Sequence, residues 1–206
     1  NGISDFVASL DRGPQGGVHG TVVANCNPFT LGHRYLIERA AASCDVLHLF
    51  ILSEDKSAVP ADVRFALVRQ GVSDLKNVLV HPTSDYLISS VTFPTYFLKD
   101  EQKAGEAAGR LDLTIFCDYF VPALSITRRF VGQEPFCPVT AAYNRLMHEM
   151  LPPRGVQVTE IPRLEKGGCA VSASRVRALW KEQKWDELRP LVPDATFRYL
   201  STGVWD

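Results

Sequence analysis

Apolar positions along this chain follow two periods, and the switching between them marks out its elements. From residue 18 onward short β-branched runs alternate with stretches of helical period, the arrangement of a parallel sheet with crossover helices. Strands are predicted over 18–24, 46–52, 77–82, 128–131 and 156–161. The second, Val46-Leu47-His48-Leu49-Phe50-Ile51-Leu52, is almost wholly apolar, as a strand covered on both faces should be. Helical spacing of Tyr35, Leu36, Ala40 and Ala41 predicts a helix ending near Cys44, and further helices are expected over 61–73, 111–123 and 141–151. A strand at 113–116 is the alternative within the third of these. Residues 86–97 are strand-like and aromatic, whereas 99–109 read as an exposed helix or mobile loop. From Ser172 the chain is expected to be all helix, with Pro190 and Pro193 marking short turns.

Residues 1–17 show no clear period, and the chain opens with Asn1 rather than Met. The expectation is a linker from a missing upstream domain, followed by one domain over 18–206 with a helical tail from about 172. The fold class expected is α/β, an open parallel sheet of Rossmann-like build with helices on both faces and a C-terminal helical segment.

Charge narrows the function classes. With 22 Lys+Arg against 23 Asp+Glu the formal net charge is −1, which supplies no long-range field for a nucleic-acid backbone or an anionic membrane. Neither partner is expected, and any anion must be gripped by a local cluster. Five cysteines, Cys26, Cys44, Cys117, Cys137 and Cys169, never form C-x-x-C, so neither a disulfide framework nor a zinc knuckle is indicated. No apolar run is long enough to span a bilayer and no secretory leader is evident, so a cytoplasmic location is expected.

Two segments carry candidate chemistry. Thr30-Leu31-Gly32-His33 joins the first strand to the first helix, at the carboxyl edge of the sheet where ligands bind. Helix N–H groups, the Thr30 hydroxyl and the His33 ring suit a phosphate there; a structural turn with Thr30 as cap is the plain alternative. Ser172-Ala173-Ser174-Arg175-Val176-Arg177 follows Gly167-Gly168 and opens a late helix, again gathering hydroxyls and cations at a helix start.

A T-x-G-H after the first strand with an S-x-S-x-x-R opening a late helix resembles the HxGH-type nucleotidylyltransferase superfamily, in which both motifs hold a nucleotide triphosphate. Longer blocks narrow the resemblance: Asn25-Cys26-Asn27-Pro28-Phe29 running into Thr30, Ser84-Asp85-Tyr86 with Phe93 to Lys99, Phe130 to Thr140 with Tyr143-Asn144, and Ile161-Pro162-Arg163 before the second motif. In this order, from about 18 to about 200, they resemble the catalytic domain of the citrate lyase ligase family.

The resemblance implies an ATP-dependent acid-thiol ligase. Such an enzyme acetylates the thiol prosthetic group on the acyl-carrier subunit of citrate lyase through acetyl-adenylate, with acetate as substrate, Mg²⁺ on the ATP phosphates, and AMP and pyrophosphate as products. The alternative is a nucleotidylyltransferase joining AMP or CMP to a phosphorylated coenzyme precursor; a nucleotide sensor without chemistry is a third reading. On the ligase reading Thr30 and His33 hold phosphate oxygens, Ser172, Ser174 and Arg175 hold the triphosphate from the other side, and Lys56 and Arg64 reach the same crevice. His33, Thr30, Lys56 and Arg175 are the catalytic candidates, His33 acting as a hydrogen-bond donor rather than a base. Phe29 and Gly32 join the nucleotide-binding candidates. So do Asn25 and Asn27, which otherwise shape the turn, and Gly132 and Glu134, which face a base or ribose or merely close a strand. Tyr96, Phe97 and Lys99 face acetate or the thiol arm, or pack. His19, His48 and His81 are expected to be structural and Cys26 not to be a nucleophile.

Overall fold

The computed structural model describes residues 1–53, 57–88, 102–134 and 137–206. Strand β1 (His19–Ala24) is followed by helix α2 (Leu31–Ala42), β2 (Val46–Ile51), α3 (Ala61–Gly71) and β3 (Val78–Pro82), after an initial helix α1 (Gly2–Ser9). Then come α4 (Gln102–Ile115), a π-helical turn Phe116–Phe120, the short α5 (Val121–Leu124), β4 (Ile126–Gly132), α6 (Pro138–Met150) and β5 (Gln157–Ile161). A two-stranded hairpin, β6 (Glu165–Lys166) with β7 (Cys169–Ala170), precedes α7 (Ala173–Lys181), α8 (Trp185–Leu188) and α9 (Asp194–Thr202).

The five long strands are parallel in the order β3-β2-β1-β4-β5. Every residue of β2 is buried, as its apolar run required. Its Leu47, Leu49 and Ile51 face α2 and α3, packing with Val22, Ile37, Ala40 and Val68. Phe50 faces the other side, where α1, α4, the π turn and α6 bring Val7, Phe116, Phe120 and Met147. Helices thus cover both faces, and a parallel sheet so covered presents its ligand crevice along the carboxyl ends of the strands.

Three departures from the expected elements have physical causes. The first 17 residues are not featureless: α1 buries Val7, Leu10 is buried just beyond it, and Phe6 lies 5.4 Å from Tyr86 and 6.2 Å from Phe120, ring centre to centre. Ile3, Phe6, Val7 and Leu10 fall at i, i+3, i+4 and i+7, a single apolar stripe too short to stand out as a period. The strand alternative at 113–116 is not realised; those residues close α4 and enter the π turn, and the helix stops where Ser125 takes φ +56°. The β6–β7 hairpin, turning through Gly167 (φ +62°) and Gly168 (φ +79°), was not expected, since two-residue strands carry no periodic signal. Residues 89–101, which hold most of the aromatic segment with Tyr96, Phe97 and Lys99, lie outside the described residues.

His19, His48 and His81 come from three adjacent strands and form one buried ladder. His19 Nε2 donates to the Gly16 carbonyl at 3.0 Å, which leaves its Nδ1 to accept from His48 Nε2 at 3.0 Å. His48 Nδ1 in turn accepts from His81 Nε2 at 2.9 Å. Burial pushes His48 down to about 3 and His81 down to about 4, so these two rings are neutral, and the ladder is structural, as expected of it.

Candidate active site

Two helix starts meet at the carboxyl edge of the sheet. At the first, Thr30 takes extended backbone and caps α2: its Oγ1 accepts from His33 N–H at 3.3 Å, while Thr30 N–H donates to His33 Nδ1 at 3.0 Å. A backbone N–H can only donate, so Nδ1 is an acceptor and the neutral ring carries its proton on Nε2. Burial, and then the charges of Arg163 and Arg177, push the His33 pKa down to about 4. The sequence offers no obvious group to fix this tautomer; the cap itself fixes it. At the second start Ser172 caps α7 by accepting Arg175 N–H at 3.1 Å.

Gly32 joins the two. A Cβ built on Gly32 would lie 2.7 Å from the Val171 carbonyl oxygen, so only glycine lets the first turn of α2 abut the residue before the α7 cap. Arg177 makes a second tie, donating from Nη1 to the Asn27 carbonyl at 2.7 Å, with Nη2 3.5 Å from Ser174 Oγ.

A cavity of about 190 Å³ opens between these starts, with Gly32, His33, Gly132, Glu134 and Ser172 on its wall. A larger one of about 830 Å³ lies towards α6 and the β6–β7 hairpin, and the two share Gln133, Glu134, Pro162, Arg163 and Ser172. Among the described residues a Cβ on Gly132 would meet nothing within 4 Å.

The remaining candidates stand elsewhere. Phe29 is fully buried, fills the space beside Gly71, and stacks on His33 with centroids 6.0 Å apart; it backs the histidine from the core rather than facing a ligand. Arg64, expected in the crevice, is likewise fully buried, and its guanidinium donates to the carbonyls of Val59, Asn25 and Leu52 and to Asn25 Oδ1. That grip also occupies Asn25, which donates to Ser57 Oγ at 3.2 Å, while Asn27 Oδ1 accepts Val59 N–H at 2.9 Å; both side chains hold the turn together. Ser174 is exposed, and Arg175, on neither cavity wall, has a buried Nη1 with no hydrogen-bond partner among the described residues. The Glu134 carboxylate is engaged by Cys137 N–H at 3.0 Å and by Arg163 at 3.1 Å. Lys56 lies outside the described residues. Cys26 is buried and its thiol is pushed up to about 12 by that burial, which removes it as a nucleophile.

Two cations near His33 escaped the sequence reading. Arg177 closes the S-x-S-x-x-R motif one helical turn after Ser174, and that i, i+3 spacing was its signal. Arg163 follows β5 within the Ile161-Pro162-Arg163 block, where as a single charge in a loop it had no spacing to mark a role. Among the described residues no group of three or more His, Cys, Asp or Glu could hold a metal ion, and no helix is long and apolar enough to cross a membrane.

The family model of the citrate lyase ligase C-terminal domain matches residues 19–200. Two similar proteins are the [citrate [pro-3S]-lyase] ligases of Klebsiella pneumoniae, 46% identical over 185 residues, and of Haemophilus influenzae, 49% identical over 187. Each alignment covers 88% of this chain but only 54% and 56% of the relative, so the chain spans about half the length of the curated relatives it matches. Among solved structures, a NadR protein in complex with NAD and AMP-PNP superposes with TM-score 0.56 at 15% identity, covering 90% of this chain and 47% of that one. That likeness concerns the fold alone.

Proposed function

The chain belongs to the citrate lyase ligase C-terminal domain family, and from that premise we propose that it uses ATP and acetate to acetylate the thiol prosthetic group on the acyl-carrier subunit of citrate lyase. The observation that supports this most is the convergence of two capped helix starts on one cavity, with His33 held as an Nε2–H donor. Helix N-termini and fixed donors favour a polyphosphate, and phosphoryl chemistry depends chiefly on positioning and charge neutralisation.

In the first step an acetate oxygen attacks the α-phosphorus in line. The new O–P bond makes acetyl-adenylate, and the α–β bridging bond breaks with its electron pair leaving on pyrophosphate. His33 Nε2–H and the N–H groups of the two helix starts hold phosphate oxygens, with Arg177 supplying positive charge and Ser174 and Arg175 flanking it. In the second step the carrier's thiolate, its proton already lost to solvent, attacks the acetyl carbon; the C–S bond forms and AMP departs with the electron pair of the C–O bond. Gly132 lies where the nucleoside passes the end of β4. The one carboxylate on the smaller cavity wall, Glu134, is already engaged, so the side chains there do not fit a resident Mg²⁺. Mg²⁺ would enter on the ATP phosphates and would supply charge neutralisation there. The cytoplasm is the compartment that suits the substrates.

Labelled pyrophosphate should exchange into ATP only when acetate is present. Exchange that needs no acetate, or that requires a phosphorylated acceptor instead, would overturn the reading.

A further inference from the structure

Among the described residues Arg163 is the cation common to both cavities, and the proposed reaction gives it no part. It follows β5, and its half-buried guanidinium uses Nη1 to meet Glu134 Oε2 at 3.1 Å. Glu134 is itself anchored through Oε1 by the N–H of Cys137, the residue preceding α6. The arginine is therefore held by a fixed carboxylate, while among the described residues its other nitrogens make no hydrogen bond. Its charge reaches His33, whose protonation it disfavours.

We propose that Arg163 binds the α-phosphate of the nucleotide, clipped in place by Glu134. This rests on the nucleotide reading above. If the β- and γ-phosphates lie at the helix starts and the nucleoside extends into the larger cavity, the α-phosphate falls at the shared wall where Arg163 stands. A planar guanidinium with one edge tethered presents its remaining donors in a fixed direction, the geometry that suits a phosphate oxygen. AMP retains the α-phosphate and should feel the same contact as ATP, whereas adenosine lacks it.

Binding of ATP, AMP and adenosine to the purified chain, measured by calorimetry for wild type, Arg163→Gln, Arg163→Lys and His33→Asn, tests this. Loss of a charge-assisted contact predicts that Arg163→Gln weakens ATP and AMP alike by about tenfold or more. Adenosine affinity should be unchanged, and Arg163→Lys should recover part of the loss. Unchanged AMP affinity in Arg163→Gln, or adenosine weakened as much as AMP, overturns the assignment while leaving the nucleotide site standing. A wild-type chain that binds neither ATP nor AMP, or a His33→Asn variant with wild-type ATP affinity, overturns the nucleotide reading and this assignment with it.

Discussion

At His33 the two ring nitrogens have different duties. Nδ1 is committed to the Thr30 N–H, and Nε2 is left as the donor on the cavity side of the cap. Protonating the ring would put a hydrogen on Nδ1 opposite another N–H, so the cation and the cap exclude each other. The pKa of about 4 follows from burial together with Arg163 and Arg177. Turnover at saturating ATP should therefore hold as pH falls through 6.5 and fail only on approach to about 4; a pH–rate profile with its acid limb near 6.5 would show that the ring is not so held. His33→Asn should lower turnover by about 10²-fold or more, the usual cost of one charge-stabilising donor. The neutral state of the His33 ring was legible in the sequence, because a helix start disfavours an imidazolium. The tautomer was not, since its partner is a main-chain N–H that no side-chain pattern reveals. The same limit explains Arg175 and Arg177: two arginines two positions apart at a helix start both offer a cation, and only packing decides that Arg177 reaches back to the Asn27 carbonyl.

The helix starts act as a pair because α2 and α7 touch through Gly32 and Val171. A methyl group 2.7 Å from a carbonyl oxygen must push the two apart, so Gly32→Ala should cost about 1–3 kcal/mol of stability and lower turnover by more than the fall in stability explains. Thermal unfolding and steady-state rates on the same preparation separate the two effects. Sequence marks Gly32 as a nucleotide-binding candidate; it does not show that what approaches the residue so closely is the protein's own backbone, from near the other end of the chain. Strands were legible for the opposite reason, as β2 declares its burial in every residue, whereas α1 and the β6–β7 hairpin are too short for a period to form. The histidine ladder shows what a strand pattern conceals. Its rings sit on three strands, and their link appears only once the register pairs those strands. Unfolded histidines titrate near 6.5, whereas His48 and His81 titrate at about 3 and about 4 in the fold. Between those values the unfolded chain binds more protons, so stability is fully present above 6.5 and falls as pH drops from 6.5 towards 4. Thermal midpoints across that window should decline steadily, and His48→Leu should flatten the slope; a midpoint independent of pH down to 4 would contradict the ladder.

Over the whole molecule, a formal net charge of −1 leaves nothing for long-range attraction, so any grip on a polyanion comes from the few groups gathered where α2, α7 and the β5 exit converge. The arginines there come from distant parts of the chain, and contacts across the α2–α7 junction keep them together: Gly32 against Val171, and Arg177 on the Asn27 carbonyl. Behind α7, Val176 and Leu179 pack with Leu188, Leu191 and Leu200, and Trp180 donates to the Leu200 carbonyl at 3.0 Å, so the helical tail forms a small core of its own. That core reaches the rest of the molecule through α3, whose Val63 and Leu67 meet Trp180, Tyr199 and Trp205. Two bodies with separate cores, joined at the junction where ATP is proposed to bind, should respond to it as one. Amide hydrogen exchange at residues 30–34 and 172–176 should slow together as ATP is added, with the same apparent affinity, because a phosphate held by one helix start also holds the other. Protection confined to residues 30–34 would mean that α7 takes no part in binding and that its capped start is structural. A duplex DNA competitor should change neither segment at ordinary salt, since a local cluster within a near-neutral chain offers a duplex backbone too few contacts to bind.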